Sequence, residues 1–105
     1  MSDAIDRLFA TIASRKDGDP QQSYTAKLLS AGVEKCAKKF GEEAFETVIA
    51  AIQRDKTELA KESADVLYHL LVLWAASGIT PDDVYAVLKT REAQSGLEEK
   101  ASRKS

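Results

Sequence analysis

Apolar residues recur along most of the chain at helical spacing, and clusters of breaker residues cut that pattern into five segments. Ile5, Leu8, Phe9 and Ile12 make one stripe, which predicts a first helix from residue 3 to about residue 16, capped by Asp3. Lys16-Asp17-Gly18-Asp19-Pro20 reads as a loop. Ser23-Tyr24-Thr25 leads into a short second helix from Ala26, stopped by Gly32. The third helix is expected from about Val33 to Arg54. At about 100° per residue, Lys35, Lys39, Glu43 and Glu46 fall on one stripe of it. Phe45, Val48, Ile49 and Ile52 lie on the other side and are expected to face the core. Gly41 sits inside this helix at a cost of about 1 kcal/mol relative to Ala. Two accounts of it stay open, a tolerated weakness or the close approach of a backbone or ligand.

Asp55-Lys56-Thr57-Glu58 is a turn with a capping oxygen from Asp55 or Thr57. Helix four follows to about Ser77 and ends at Gly78, with Glu58, Glu62, Asp65 and His69 on one stripe. Helices three and four, joined tightly, are expected to be antiparallel neighbours. Thr80-Pro81-Asp82-Asp83 is a helix start, and helix five runs to about Ala93. After Gly96 the chain is a charged tail, expected to be mobile. No repeat and no strand pattern appears. The fold class is therefore all-α, one domain over 1–105 built as a small bundle of about five helices. Helix four is apolar around more of its circumference than helix three covers, which implies a homodimer whose helices merge into one bundle.

Two pairs of acids stand out against this pattern. Glu43 and Glu46 are three residues apart, as are Glu62 and Asp65, so each pair points two carboxylates in one direction. Packed antiparallel, the two helices bring four carboxylates together. From Ala64 to Ala76 the strongly polar residues are Asp65 and His69 alone. An apolar helix is a buried one, and a carboxylate on it must be paired, protonated or bound to a metal. Carboxylates converging without a matching Arg point to a hard divalent cation, Mg2+ above all, with Mn2+ as an alternative.

Composition narrows the choice of function. The chain has 105 residues, 44% apolar and 30% charged, with a formal net charge of −2. It lacks the basic excess of a nucleic-acid binder. Its start carries no basic end followed by an apolar run, and its longest apolar run is too short for a bilayer. Cys36 is the single cysteine and cannot form an internal disulfide, so a reducing cytoplasm is the expected compartment. One Cys and one His also exclude a zinc cluster of the usual ligand count within one chain.

The spacing Glu43-x-x-Glu46, a gap, then Glu62-x-x-Asp65 resembles the metal signature of the all-α, MazG-like nucleoside triphosphate pyrophosphohydrolases. Further residues narrow the resemblance to the phosphoribosyl-ATP pyrophosphatase family. They are Ser23-Tyr24-Thr25, Gly32, Lys35, Lys39, Gly41-Glu42-Glu43-Ala44, Tyr68-His69-Leu70-Leu71 and the tail from Ser95 to Arg103. Phe40 departs mildly from the pattern, where a smaller aliphatic residue is expected. The resemblance implies Mg2+-dependent hydrolysis of phosphoribosyl-ATP to phosphoribosyl-AMP and diphosphate, the second step of histidine biosynthesis. It also implies the single-function form, without the fused zinc-dependent cyclohydrolase domain found in some organisms.

On this reading Glu43, Glu46, Glu62 and Asp65 are the metal ligands, with one of them free to orient the attacking water. Glu42 is a weaker candidate, off the centre of the stripe. Lys35 and Lys39 bind the departing diphosphate, against the plainer account that Lys39 pairs with Glu43. Ser23, Tyr24 and Thr25 offer an anion site at a helix start, against simple capping. Arg91, with Lys100 and Arg103, is expected to reach a substrate phosphate, against a solvated tail. His69 is expected beside the ligands, holding Asp65 by a hydrogen bond, and Cys36 packs as a small hydrophobe. Trp74, Tyr68, Tyr85 and Phe9 are spaced as core residues. Three rivals remain: a house-cleaning pyrophosphohydrolase of the same superfamily, a di-iron carboxylate bundle, and a helical interaction module with a solvated acidic face. The di-iron site would call for Glu-x-x-His pairs, with which His69 is out of step.

Overall fold

All five expected helices form: α1 (Asp3–Ser14), α2 (Tyr24–Ala31), α3 (Val33–Ile52), α4 (Lys56–Ser77) and α5 (Pro81–Glu92). The computed structural model describes residues 3–93, so the charged tail with Lys100 and Arg103 lies outside the described residues. Among the described residues there is no strand. Among them, no single helix is long and apolar enough to cross a membrane.

Local chemistry sets the boundaries. α2 begins two residues ahead of the expected start, because the Ser23 hydroxyl accepts from the Ala26 N–H at 3.1 Å. Of the two candidate caps for α4, Asp55 fills the role, accepting from the Glu58 N–H at 3.0 Å. At α5, Thr80 and Asp83 bond each other's backbone in a full capping box, with Pro81 in the first turn. α4 stops at Gly78, whose φ of +81° is a conformation open to glycine at little cost. The Ile79 N–H then bonds the Trp74 carbonyl at 3.1 Å. α3 ends two residues short of expectation by the same device with a less suitable residue. Arg54 takes φ +60°, and the Asp55 N–H reaches back to the Ala50 carbonyl at 3.2 Å. A side chain in this left-handed conformation costs roughly 1–2 kcal/mol.

The core gathers Ile12 from α1, Leu28 from α2, Cys36 from α3, and Leu71 and Val72 from α4. Each large apolar side chain so buried contributes about 1.5–3 kcal/mol. The predicted α1 stripe packs as expected, with Ile5, Leu8 and Phe9 against this cluster, as do Tyr68 and Trp74. Tyr85 is outside it, half-buried, with its hydroxyl donating to Asp6 at 2.9 Å. Cys36 is buried, as expected, and its Sγ–H donates to the Leu28 carbonyl at 3.3 Å. Burial pushes its thiol pKa up, so it stays protonated.

The largest interface joins α3 to α4 across the three-residue connection 53–55. Here one expectation is overturned. Phe45, Val48, Ile49 and Ile52 do not face the core of this chain: Phe45 is 66% and Ile52 74% exposed. The face of α3 turned inward instead carries Cys36, Phe40, Glu43, Thr47 and Ala50, all buried or half-buried. These positions recur at three- and four-residue steps, so they form one seam. The wheel shows two opposed stripes, but the apolar stripe is the outer one, and nothing within the described chain covers it. At Gly41, an added Cβ would meet nothing within 4 Å, so this chain's own packing does not require glycine there.

Candidate metal centre

The inward turn of α3 carries Glu43 into the seam with α4. There one carboxylate oxygen from each of Glu43, Glu62 and Asp65 lies within 4.8 Å of the other two. Thr47, one turn after Glu43, ties the two helices together at this level. Its hydroxyl is 2.9 Å from the Glu43 carbonyl and 3.2 Å from the Glu62 carbonyl. The two acid pairs are thus held in register by a side chain lying between them.

Glu62 is the most perturbed of these acids. Its pKa is pushed up to about 7, first by a hydrogen bond shared with the Glu58 carboxyl, then by desolvation and by the charges of Glu46, Glu58 and Asp65. Its Oε1 is shut off from solvent, and no N–H or hydroxyl among the described residues donates to it. Glu46 stands outside the close triplet but acts on Glu62 electrostatically, and with Glu58 it lines a cavity of about 200 Å³ that Glu62 also borders. Asp65 corrects one step of the sequence argument. It is exposed, and the costly burial falls on Glu62 instead.

The donor set fits a hard divalent cation. It is all oxygen, it is crowded with like charge, and one of its oxygens is buried without a donor, which native proteins rarely leave unexplained. Mg2+ takes oxygens at about 2.0–2.1 Å, so small side-chain rotations would gather oxygens that now lie within 4.8 Å.

The remaining sequence candidates fall around this centre. Lys39 is half-buried and pairs with Glu42 at 3.3 Å, not with Glu43 as the plainer account had it. The i,i+3 step to Glu42 leaves Glu43 free to turn into the seam. That pairing, with the charges of Tyr24 and of the nearby acids, raises the Lys39 pKa. Lys35 lies one turn before Lys39, and both line a cavity against α2. Ser23 acts as the cap of α2, and the Thr25 hydroxyl bonds the Tyr68 hydroxyl. Tyr24 is 52% exposed, stacks at 6.5 Å on Tyr68 and meets His69 edge-on. Arg91 sits in the last turn of α5, a helix whose main contact is with α1.

His69 is buried, and its Nδ1–H donates to the main-chain carbonyl of Asp65 at 2.9 Å. The expected bond to Asp65 thus forms with the backbone rather than the carboxylate. A side chain one turn along a helix meets the i−4 carbonyl first. Two residues of the centre escaped the sequence reading as participants. Glu58 lies on the acid stripe one turn before Glu62, and Thr47 lies one turn after Glu43. That spacing was the available signal for both.

Residues 5–92 match the family described as phosphoribosyl-ATP pyrophosphohydrolase. Among similar proteins named phosphoribosyl-ATP pyrophosphatase, that of Parvibaculum lavamentivorans is 61% identical over 99 residues, covering 94% of this chain and 91% of the relative. Those of Cereibacter sphaeroides and Azospirillum brasilense are 57% and 55% identical, over 94% and 96% of this chain and 96% and 91% of theirs.

Proposed function

The chain belongs to the phosphoribosyl-ATP pyrophosphohydrolase family, and on that premise we propose that its acid seam hydrolyses phosphoribosyl-ATP to phosphoribosyl-AMP and diphosphate, a step of histidine biosynthesis. The observation that carries the site assignment is the convergence of Glu43, Glu62 and Asp65 around the unpartnered Glu62 oxygen. Glu43, Glu62 and Asp65 would hold Mg2+, and Glu46 would supply a fourth carboxylate beside Glu62. When bound, the cation neutralises phosphate charge and lowers the pKa of water.

The protein's own part is placement. Thr47 fixes the separation of the two acid-bearing helices. A carboxylate of the set accepts the proton of the attacking water as its oxygen bonds to phosphorus and the phosphoanhydride breaks. Lys35 and Lys39, one to two turns before Glu43, meet the negative charge on the departing diphosphate. Tyr24 presents an open ring beside them for the nucleotide. Ser23, Thr25 and Arg91 are further candidates for holding substrate, the first two from positions they also occupy structurally. The active form is a homodimer that covers Phe45, Val48, Ile49 and Ile52, works in the cytoplasm, and binds neither nucleic acid nor membrane.

The test is diphosphate release from phosphoribosyl-ATP, ATP, dUTP and dCTP, with Mg2+ and with chelator. Rapid release from phosphoribosyl-ATP alone, abolished by chelator, is expected. Release from a deoxynucleotide instead would reassign the substrate, and no release from any would remove the metal centre from the reaction.

A further inference from the structure

A second cavity, of about 220 Å³, opens between α2 and α3 and is lined by Tyr24, Lys27, Leu28, Ala31, Lys35 and Lys39. Three lysines from two helices therefore share one small space. The corner at Gly32 (φ +98°) brings them together, and the Cys36 Sγ–H bond to the Leu28 carbonyl fastens α2 against α3 just behind them. Lys27 and Lys35 are exposed and Lys39 half-buried, so the space offers three cationic side chains to an anion arriving from solvent. Among the described residues, Lys39 has Glu42 at 3.3 Å, whereas neither Lys27 nor Lys35 has a carboxylate partner. The volume is below the roughly 300–1,000 Å³ of pockets that take a drug-sized ligand. It suits a phosphate group with its waters, not a whole nucleotide. At about 1.5 Å rise per residue, Lys39 and Lys35 stand about 6 and 12 Å along α3 from Glu43. Lys27 faces them from α2, where the carbonyl of its neighbour Leu28 meets Cys36, the residue after Lys35.

We propose that Lys27 is a substrate-binding residue, completing with Lys35 and Lys39 a pocket for a phosphate group of the substrate that lies away from the metal centre. The proposal rests on the reaction assigned above and adds a residue to it. Two parts of phosphoribosyl-ATP carry the required chemistry: the terminal phosphates of the triphosphate, and the 5′-phosphate on the added ribose.

Isothermal titration of the full chain with inorganic diphosphate and, separately, with ribose 5-phosphate distinguishes them. The comparison is between the parent protein, Lys27→Gln, Lys27→Arg and, as a control on charge alone, Lys38→Gln. Lys38 is exposed on α3 and does not line the cavity. Losing one charged hydrogen bond to phosphate weakens binding on the order of tenfold. Lys27→Gln should show that loss for one of the two probes, Lys27→Arg should recover most of it, and Lys38→Gln should show none. The probe affected names the phosphate: diphosphate for the triphosphate end, ribose 5-phosphate for the added ribose. With phosphoribosyl-ATP as substrate, Lys27→Gln should raise KM by a similar factor, while Mn2+ binding to the acids stays as in the parent. The proposal is overturned if neither probe binds the parent, if both bind Lys27→Gln as tightly as the parent, or if Lys38→Gln weakens them equally. Because the probes report without turnover, a parent protein inactive on phosphoribosyl-ATP would refute the assigned reaction and leave the pocket test intact.

Discussion

Replacing Thr47 by Val tests how the two acid pairs are held in register. The change exchanges a hydroxyl for a methyl of nearly the same size, so packing in the half-buried seam is kept. What is lost is the hydroxyl proton shared between the carbonyls of Glu43 at 2.9 Å and Glu62 at 3.2 Å. Both carbonyls lie inside helices and keep their backbone N–H partners, so neither is orphaned. The cost is therefore that of one net hydrogen bond, about 0.5–1.5 kcal/mol, and not the larger penalty of a stranded polar group. For a chain of this size the melting temperature should fall by about 4–8 °C per kcal/mol. The second effect is on the cation. With the tie gone, part of the same free energy must be supplied on binding to bring Glu43 toward Glu62 and Asp65. Affinity should drop by up to about tenfold. Calorimetric melting in chelator and Mn2+ titration at constant pH measure the two effects, with Thr47→Ser as the variant that keeps the hydroxyl. Unchanged melting and unchanged affinity in Thr47→Val would refute the reasoning, as would a Thr47→Ser variant that behaves like Thr47→Val.

Three further outcomes are expected. The Glu62 carboxyl, raised from 4.5 to about 7 in the folded chain, holds a proton there that the unfolded chain has already released. Metal-free protein should therefore lose stability as pH rises from about 4.5 to 7 and level off above that. Cation affinity should grow over the same window, because binding displaces that proton. Melting curves against pH in chelator check this, and a parent curve that matches Glu62→Gln across the window would refute it. Arg54→Gly should stabilise the chain by about 0.5–1 kcal/mol, since glycine takes the +60° φ at little cost, and chemical denaturation with an unchanged or lower midpoint would show otherwise. Phe45→Glu combined with Ile52→Glu should convert a dimer into a monomer in light scattering. Two apolar side chains at about 1.5–3 kcal/mol each correspond to a more than hundredfold loss of affinity. A parent protein that is itself a monomer would refute the dimer.

Much of this structure was legible in the residue pattern. The caps at Ser23, Asp55 and Thr80 and the stop at Gly78 are local chemistry, set by side chains a few positions from the backbone groups they satisfy. The α1 stripe and the close α3–α4 pair follow from spacing and from the short connection between them. The acids were legible as pairs for the same reason, three residues being one face of a helix. The orientation of α3 was not. A wheel ranks faces by polarity and assumes that the apolar one turns inward, whereas here the face bearing Glu43 and Thr47 does so and Phe45 and Ile52 turn out. That choice is made by the neighbours of α3, which its own sequence does not display. The same limit explains Asp65, exposed on a helix that reads as buried, and Lys27, which gains meaning only when Gly32 folds α2 back onto α3.

The brevity of the α3–α4 connection also bears on the order in which the molecule assembles. Loop-closure entropy is smallest for short connections, and contacts local in sequence form fastest. Residues 53–55 join the two helices, and all four candidate ligands, Glu43, Glu46, Glu62 and Asp65, lie on that one hairpin. The carboxylates thus converge in the segment that closes soonest, while α1 must wait for contacts with α4 some sixty residues away. On the proposed reading of the site, a divalent cation present during synthesis would meet its ligands before the rest of the bundle has settled, and by offsetting their repulsion it would favour the hairpin onto which α1 and α2 then dock.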